Sequence, residues 1–563
     1  MNTTPAFRRF SPATERDVAE RPDRNTCCRT PYRRASRPVR YLVSAVMALL
    51  FPRPEYAQNT SPIPEWTTAR ADAQRSGWLR SDAYISPASM SKPGFKFLWK
   101  VHLGKPGDTS LLSEPVTFSR FSGDLGWKTL VSLGAASNTY FAVDNDLGTL
   151  YLDKRLTETP VKPGTATCPA GMTSGLSRSV NLVVTEPLGR GGTVQSFRGA
   201  VGAPDEGTPA GFALRSAGGG RGGSGGRGGG GGGRGAAGVY ALTSDGMVRT
   251  LGRALALETA KPWQFIAPGS DASDLTVIDN VAYVATMKHC GGTPDGVYLM
   301  DMPSADKATI SWKATGGSPL GAPAFSRNGT LYVSVGQSQR GAQGYSNSVV
   351  ALDGKTLAVK DSFTAPGTLA STPVVFLSGG KEYVAVGARD GAIFLLDAAS
   401  LGGSDHKIPL AATVATGGAV SVAAWQDPGG TAWVLASSAG PLAATAGFTP
   451  SNGAVTAGAV VAYRVAVESG KPGLQPAWVS ANLVAPKAPI VVNGVVFALA
   501  GGTTTTPAVL RALDATTGKS LWSSGQTITS YVDAGIAASQ GQVYVAAHDH
   551  TFYAFGFYVP TNK

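Results

Sequence analysis

The chain has 563 residues, 43% of them hydrophobic, 15% charged and 8% aromatic, enough for two to four domains with a packed core. No apolar run reaches the ~18 residues of a membrane span, and neither a heptad nor a collagen period is present, which excludes a polytopic membrane protein, a coiled coil and a wholly disordered chain. The net charge of +12 is concentrated in two places. Residues 1–58 carry eleven Arg against five acidic residues and 187–237 carry six Arg against two, so only +2 remains for everything else. That near-neutral remainder leaves no electrostatic footprint for nucleic acid.

The first forty residues are polar and Arg-rich, and Tyr41 to Phe51 follow as eleven mostly apolar residues. This length fits the core of an export signal and is too short to span a bilayer. Residues 1–57 are therefore expected to be a signal peptide with a long Arg-rich leader. Ala57 offers a cleavage position, although Glu55 stands where a small residue is preferred; an uncleaved anchor is the alternative. Arg33-Arg34 matches a twin-arginine signal only in part. A periplasmic or secreted bacterial protein is expected. Cys27 and Cys28 lie in the segment that would be removed, whereas Cys168 and Cys290 remain. An even pair suits a disulfide in an oxidising compartment, with two separate buried thiols as the alternative.

From about residue 110 the chain repeats a strand–turn–strand pattern. A short apolar strand follows a small residue and Pro, as in Ala322-Pro323-Ala324, Thr372-Pro373-Val374 and Ala488-Pro489-Ile490. A strand rich in Val and Tyr comes next. Its aromatic anchors are Tyr283, Tyr332, Tyr383, Trp433, Phe497 and Tyr544, separated by 49, 51, 50, 64 and 47 residues. The long interval holds a polar, Ala/Gly-rich insertion near 438–457. A period near 50 with several strands per unit predicts a propeller, because one small sheet cannot bury both of its faces and must stack on others. Units are expected at 114–153, 176–265, 274–315, 319–364, 369–412, 418–480, 485–524 and 531–557. The last lacks an outer strand, which Phe95–Leu103 could supply and so leave no open edge.

A further pattern sits on the third strand. In residues 511–522, RALDATTGKSLW, Asp514 can bond backbone amides of a tight turn, Gly518 permits positive φ, and Trp522 falls on the outer strand. Weaker copies surround Asp301, Asp353 and Asp397. The set Ala512, Asp514, Gly518, Lys519 and Trp522 resembles the tryptophan-docking motif of the pyrroloquinoline-quinone (PQQ) repeat family, the quinoprotein alcohol dehydrogenase-like propellers. The stretch Asp72-Ala73-Gln74-Arg75-Ser76-Gly77-Trp78 resembles the entry segment ahead of the propeller in secreted members. No Trp-Asp dipeptide supports a WD40 propeller. The resemblance implies an all-β, eight-bladed β-propeller over 95–557, closed by an N-terminal strand. An entry segment over 58–94 would precede it and a tail over 558–563 would follow. The Gly/Arg-rich stretch 187–237 is expected to be a disordered loop thrown out of the second unit.

The family holds PQQ- and calcium-dependent dehydrogenases of alcohols and sugars as well as propellers without a cofactor. Its dehydrogenases use Glu, Asn and Asp ligands for calcium, an Asp base and, in many, a disulfide of adjacent cysteines. This sequence has no adjacent pair after residue 58 and no C-x-x-C-H haem attachment, and the catalytic and cofactor-binding residues cannot be matched position by position. No cofactor is required by the residues; PQQ with calcium is what the resemblance would add. His548-Asp549-His550 has the residue types of a metal site but the spacing of an exposed turn, so no metal site is expected. His289-Cys290 could form a thiolate–imidazole pair, although a disulfide or structural thiol fits better. The sequence reads as an exported binding or scaffold module, with a PQQ-dependent dehydrogenase as the alternative. It is expected to be a monomer that takes a protein or small-molecule ligand at a propeller face, with no nucleic-acid partner and no transmembrane span.

Overall fold

A computed structural model describes residues 65–558, apart from 124–125, 162, 181, 183–193, 196–213, 216–237, 253–260, 304–308, 339–343, 403–410, 414–419 and 469–470. The expected export signal and nearly all of the Gly/Arg-rich stretch lie outside the described residues. The described chain is all-β and propeller-like. Its strands form consecutive antiparallel meanders of four, spanning 116–155, 177–264, 276–313, 324–364, 374–413, 420–479 and 490–523, of which the second and third are joined into one hydrogen-bonded sheet by the parallel pairing of Ser179 and Val180 with Val277 and Ile278. The second begins with Ser177–Val180. An eighth meander combines Ala537–Ser539, Gln542–Ala546 and Thr551–Gly556 with Lys96–His102, which pairs antiparallel to Thr551–Gly556. We call these sheets one to eight. Among the described residues the only α-helix is the four-residue Pro87–Met90, and no helix is long and apolar enough to cross a membrane.

The sequence pattern follows from stacking. The second strands Thr330–Val335 and Val495–Ala500 are buried at every position, because each sheet packs between two neighbours and has no solvent face. The outer strand Leu150–Arg155 is mostly exposed and half-buried, so it carries Lys, Arg and Asp. Tyrosines on the second strands reach the next sheet: the Tyr283 hydroxyl donates to the Gly354 carbonyl (2.8 Å) and that of Tyr332 to the Ala398 carbonyl (2.6 Å).

Neighbouring sheets are joined by tryptophan docking. In sheet seven the Asp514 carboxylate accepts the amides of Thr516 (3.0 Å) and Thr517 (2.9 Å), and Gly518 closes the turn at φ +70°. Trp478, from the outer strand of sheet six, lies on that turn and donates to the Ala515 carbonyl (2.9 Å). Trp99 of the N-terminal strand does the same to sheet one: it donates to the Asn145 carbonyl (2.9 Å) and covers Gly148. Trp522 packs against Phe95 and Phe555 of sheet eight. In sheet four the position equivalent to Gly518 is Leu357, at φ +57°. Trp312 of sheet three belongs to the same buried cluster as Leu357 and meets the Tyr345 ring, centroids 5.5 Å apart.

A Cβ at Gly148 would lie 2.3 Å from Trp99 Cγ, and one at Gly518 2.7 Å from Trp478. Gly148→Ala and Gly518→Ala should each destabilise the fold by about 2 kcal/mol or more, through ring displacement and positive φ together. Equilibrium urea denaturation checks both; an unchanged midpoint for either would contradict the docking account.

Candidate functional site

The first strands of the sheets converge on the segment 66–82. Its carbonyls accept backbone amides from one sheet after another: Thr117 onto Trp66 (2.8 Å), Arg178 onto Thr67 (2.7 Å), Phe325 onto Ala73 (2.8 Å), Val375 onto Gln74 (3.0 Å), Ala424 onto Ser76 (3.0 Å) and Val491 onto Gly77 (2.8 Å). Sheet three is met through Thr68, whose hydroxyl donates to the Leu275 carbonyl (3.0 Å). Sheet eight is met through Asp82, whose carboxylate accepts the Gly541 amide (2.8 Å). Trp78–Leu79 then pair in parallel with Val491–Val492.

The entry motif 72–78 supplies the local geometry. Asp72 accepts the Ser76 amide (2.9 Å) and hydroxyl (2.6 Å) and pairs with Arg80 (2.9 Å). Arg70, Ala71 and Arg75 adopt positive φ, which for non-glycine residues costs of order 1 kcal/mol each and persists only where the surroundings impose it. Arg75, almost fully buried, donates to the carbonyls of Pro323 (3.2 Å) and Ala69 (2.7 Å) and to the hydroxyls of Thr68 and Thr276. Arg70 donates to the carbonyls of Ala488 (3.3 Å), Val422 (3.2 Å) and Pro489 (3.0 Å). Burial lowers the pKa of both guanidinium groups, and Asp72 and Glu114 oppose that fall at both.

Two carboxylates stand beside these arginines. Glu114 precedes the first strand of sheet one, and its Oε1 accepts Trp66 Nε1 (2.8 Å) and the Arg70 amide (2.6 Å). Asp274 precedes the first strand of sheet three and accepts the Gly175 amide (3.1 Å). Glycines make room for both: a Cβ at Gly535 would lie 2.2 Å from Glu114 Oε2, and one at Gly175 2.4 Å from Asp274 Oδ1. Burial pushes the Glu114 carboxyl up to about 7; the Arg70 charge and amide pull it down and Asp274 pushes it further up. Glu114 lies deep yet keeps part of its surface accessible, as Asp274 does. The site therefore offers a carboxyl that exchanges a proton near neutral pH, beside a second carboxylate.

Glu114, Asp274 and Arg70 were missed from the sequence, yet one signal was available. Glu114-Pro115-Val116 stands in the repeat where other copies read Ala322-Pro323-Ala324 and Ala488-Pro489-Ile490. A charged residue in a small residue's place marks the departure. Cys168 and Cys290 are bonded, S–S 2.04 Å, joining the connection after sheet one to a turn of sheet three. That bond excludes a thiolate at Cys290; the neighbouring His289 ring faces Asp295 at 3.4 Å. His548, Asp549 and His550 do not converge: His548 meets Asp533 (2.6 Å), Asp549 accepts the Thr551 amide (3.0 Å), and His550 points to backbone carbonyls. Among the described residues no group of three or more His, Cys, Asp and Glu is placed to hold a metal ion.

No protein-family profile and no curated protein sequence matches the chain. Solved structures do. The quinohemoprotein alcohol dehydrogenase of Comamonas testosteroni superposes with TM-score 0.51 at 14% identity, over 92% of this chain and 84% of that one. A quinohemoprotein alcohol dehydrogenase of Pseudomonas putida HK5 gives 0.52 at 12%, over 90% and 82%. A europium-containing methanol dehydrogenase gives 0.51 at 12%, over 90% and 100%. The fold is that of the quinoproteins. At these identities the likeness carries the fold and not the chemistry.

The quinoprotein fold implies PQQ with calcium, and the residues on this segment do not fit them. Calcium takes six to eight oxygen ligands; here two carboxylates lie beside two guanidinium groups. Those guanidinium groups point their donors at carbonyls and hydroxyls of the chain itself, so they are already engaged and not free for an anionic quinone.

Glu114 has a folded-state pKa above its ordinary value of 4.5, so its stabilising contribution is complete below about pH 4.5 and is lost as pH rises through about 7. Glu114→Gln should remove a fall of roughly 2 kcal/mol in unfolding free energy between pH 5 and 8. An identical slope in the variant and the parent would contradict the burial account. Arg75→Met should cost about 3 kcal/mol or more, because the buried carbonyls and hydroxyls it serves lose their donor; thermal unfolding reads the effect.

Proposed function

We propose that this is an exported propeller, closed as an eight-bladed ring through strand Lys96–His102, that works as a binding module. The observation that carries the reading is the engagement of Arg70 and Arg75: the cations nearest the deep carboxylates are committed to holding segment 66–82, not to a cofactor. The apolar run 41–51 and the bond between Cys168 and Cys290 support a periplasmic or secreted location, where disulfides persist. The ligand, a protein or a small molecule, would be taken at a propeller face by a monomer, without nucleic acid.

The second reading is a PQQ- and calcium-dependent dehydrogenase of an alcohol or sugar. The fold likeness to three dehydrogenases over at least nine-tenths of this chain favours it, whereas the donor set beside Glu114 favours the first.

Titration of the chain from Gln58 onward with PQQ and calcium, followed by thermal unfolding, separates the two. A ligand of the folded state at a hundredfold excess over its dissociation constant adds about 2.7 kcal/mol. The binding reading expects no shift with millimolar calcium and excess PQQ. A clear rise in melting temperature would overturn it and call for an alcohol and sugar screen with an artificial electron acceptor.

A further inference from the structure

The connection 103–113 leads from the N-terminal strand of sheet eight to Glu114. Its far end is tied to sheet one, where Ser113 donates to the Gly134 carbonyl (2.8 Å) and the Ala136 amide donates to the Leu111 carbonyl (2.8 Å). Its near end meets His550, in the turn between the second and third strands of sheet eight, and His102, whose Nε2 lies 3.3 Å from the Lys105 carbonyl oxygen. His550 is fully buried. Its Nδ1 lies 3.1 Å from the Leu103 carbonyl oxygen and its Nε2 2.6 Å from the Ser110 carbonyl oxygen. The Leu103 amide returns a bond to the His550 carbonyl (2.9 Å).

A carbonyl oxygen carries no hydrogen. Both ring nitrogens must donate for both contacts to be hydrogen bonds, and only the imidazolium has two N–H groups. A neutral ring satisfies one carbonyl and turns a lone pair toward the other; the Ser110 hydroxyl, 3.5 Å from Nε2, is a longer contact than either carbonyl. The charge has a counterion on the same connection: Asp108 Oδ1 is 3.7 Å from Nε2. Partial burial raises the Asp108 carboxyl, but bonds from Ser110 and the charges of His550 and His102 bring it below its ordinary value overall. The other groups around the ring are His102 on the N-terminal strand, ring centres 6.5 Å apart, and the edge of Phe141 from sheet one. Lys105 is exposed on the connection, and in the same turn His548 is directed to Asp533 and Asp549 to the Thr551 amide.

We propose that His550 is a proton-operated latch on this connection. Charged, it clamps Leu103 and Ser110 onto sheet eight; neutral, it loses one clamp and releases the segment. The segment covers something specific. A small cleft separates Ser110–Leu112 from Asp533 and Ala534, and the next residue, Gly535, is the one against which Glu114 packs. Release of the segment opens that cleft toward the deep carboxylates. The two carbonyl contacts are shorter than the 3.5 Å contact of the Ser110 hydroxyl with Nε2, and with a carboxylate beside the ring they favour its charged form.

Selective ¹⁵N-histidine labelling of the full chain tests the protonation state directly, since the chain has only five histidines. At pH 6.0 both ring nitrogens of His550 should resonate as protonated, with assignment by loss of the signal in His550→Gln. A single neutral tautomer at that pH overturns the proposal. Amide hydrogen exchange of 103–112, corrected for intrinsic rates, tests the release. Protection should fall about tenfold or more between pH 6 and 8.5 in the parent and in Glu114→Gln, and should be low at both pH values in His550→Gln. Equal protection at both pH values in the parent overturns the latch, and loss of the effect in Glu114→Gln would assign it to the carboxyl instead. If His550→Gln does not fold, Asp108→Asn gives the assignment by its shift of the His550 signals.

Discussion

The rest of the structure depends on a set of hydrogen bonds from the first strands of the sheets to segment 66–82. A first strand at the centre of a stacked array has one edge facing inward, with amides that solvent cannot fully serve. Unpaired buried backbone groups cost of order 1–3 kcal/mol each. Here successive carbonyls of one short segment accept them. The six amides come from residues as far apart as Thr117 and Val491, so a single local conformation fixes the positions of distant sheets. The positive-φ residues Arg70, Ala71 and Arg75 are the local consequence, because a chain that serves partners all around it must turn tightly.

The chemistry of the segment follows from its burial. Two guanidinium groups in a low-dielectric interior need hydrogen-bond acceptors and nearby negative charge. Carbonyls supply the first, and Asp72, Glu114 and Asp274 supply the second. The same burial that lowers the arginines raises Glu114. A structural demand thus leaves a carboxyl poised near neutral pH in a place that is deep but not sealed. That coincidence makes this the candidate site.

The outer seam obeys a different rule. Tryptophans of one sheet lie on the glycine of the next sheet's turn, and the indole N–H finds a carbonyl there. Where leucine replaces the glycine, as at Leu357, the tryptophan of the preceding sheet lies in the same buried cluster and also meets a tyrosine ring. His550 adds a third kind of contact, between a turn of sheet eight and the connection to sheet one.

Repeat period, strand type and the docking motif were legible in the sequence because they are local. An Asp, a Gly four residues on and a Trp beyond lie within one hairpin, and alternation or continuous burial shows in a single strand. The N-terminal strand was legible because Leu98-Trp99-Lys100 copies the pattern of an outer strand, and the pairing of Cys168 with Cys290 was open because two cysteines permit one intramolecular bond. The site was not legible. Glu114, Asp274 and Arg70 are 44 to 204 residues apart in sequence, and nothing in the repeat says that residues just before the first strands of two sheets face one arginine of segment 66–82. Only the tertiary structure could bring them together, since their proximity comes from sheets stacking around residues 66–82. It is that stacking, and not the residue types, that shifts a glutamate to neutral pH and turns both nitrogens of a histidine toward carbonyls.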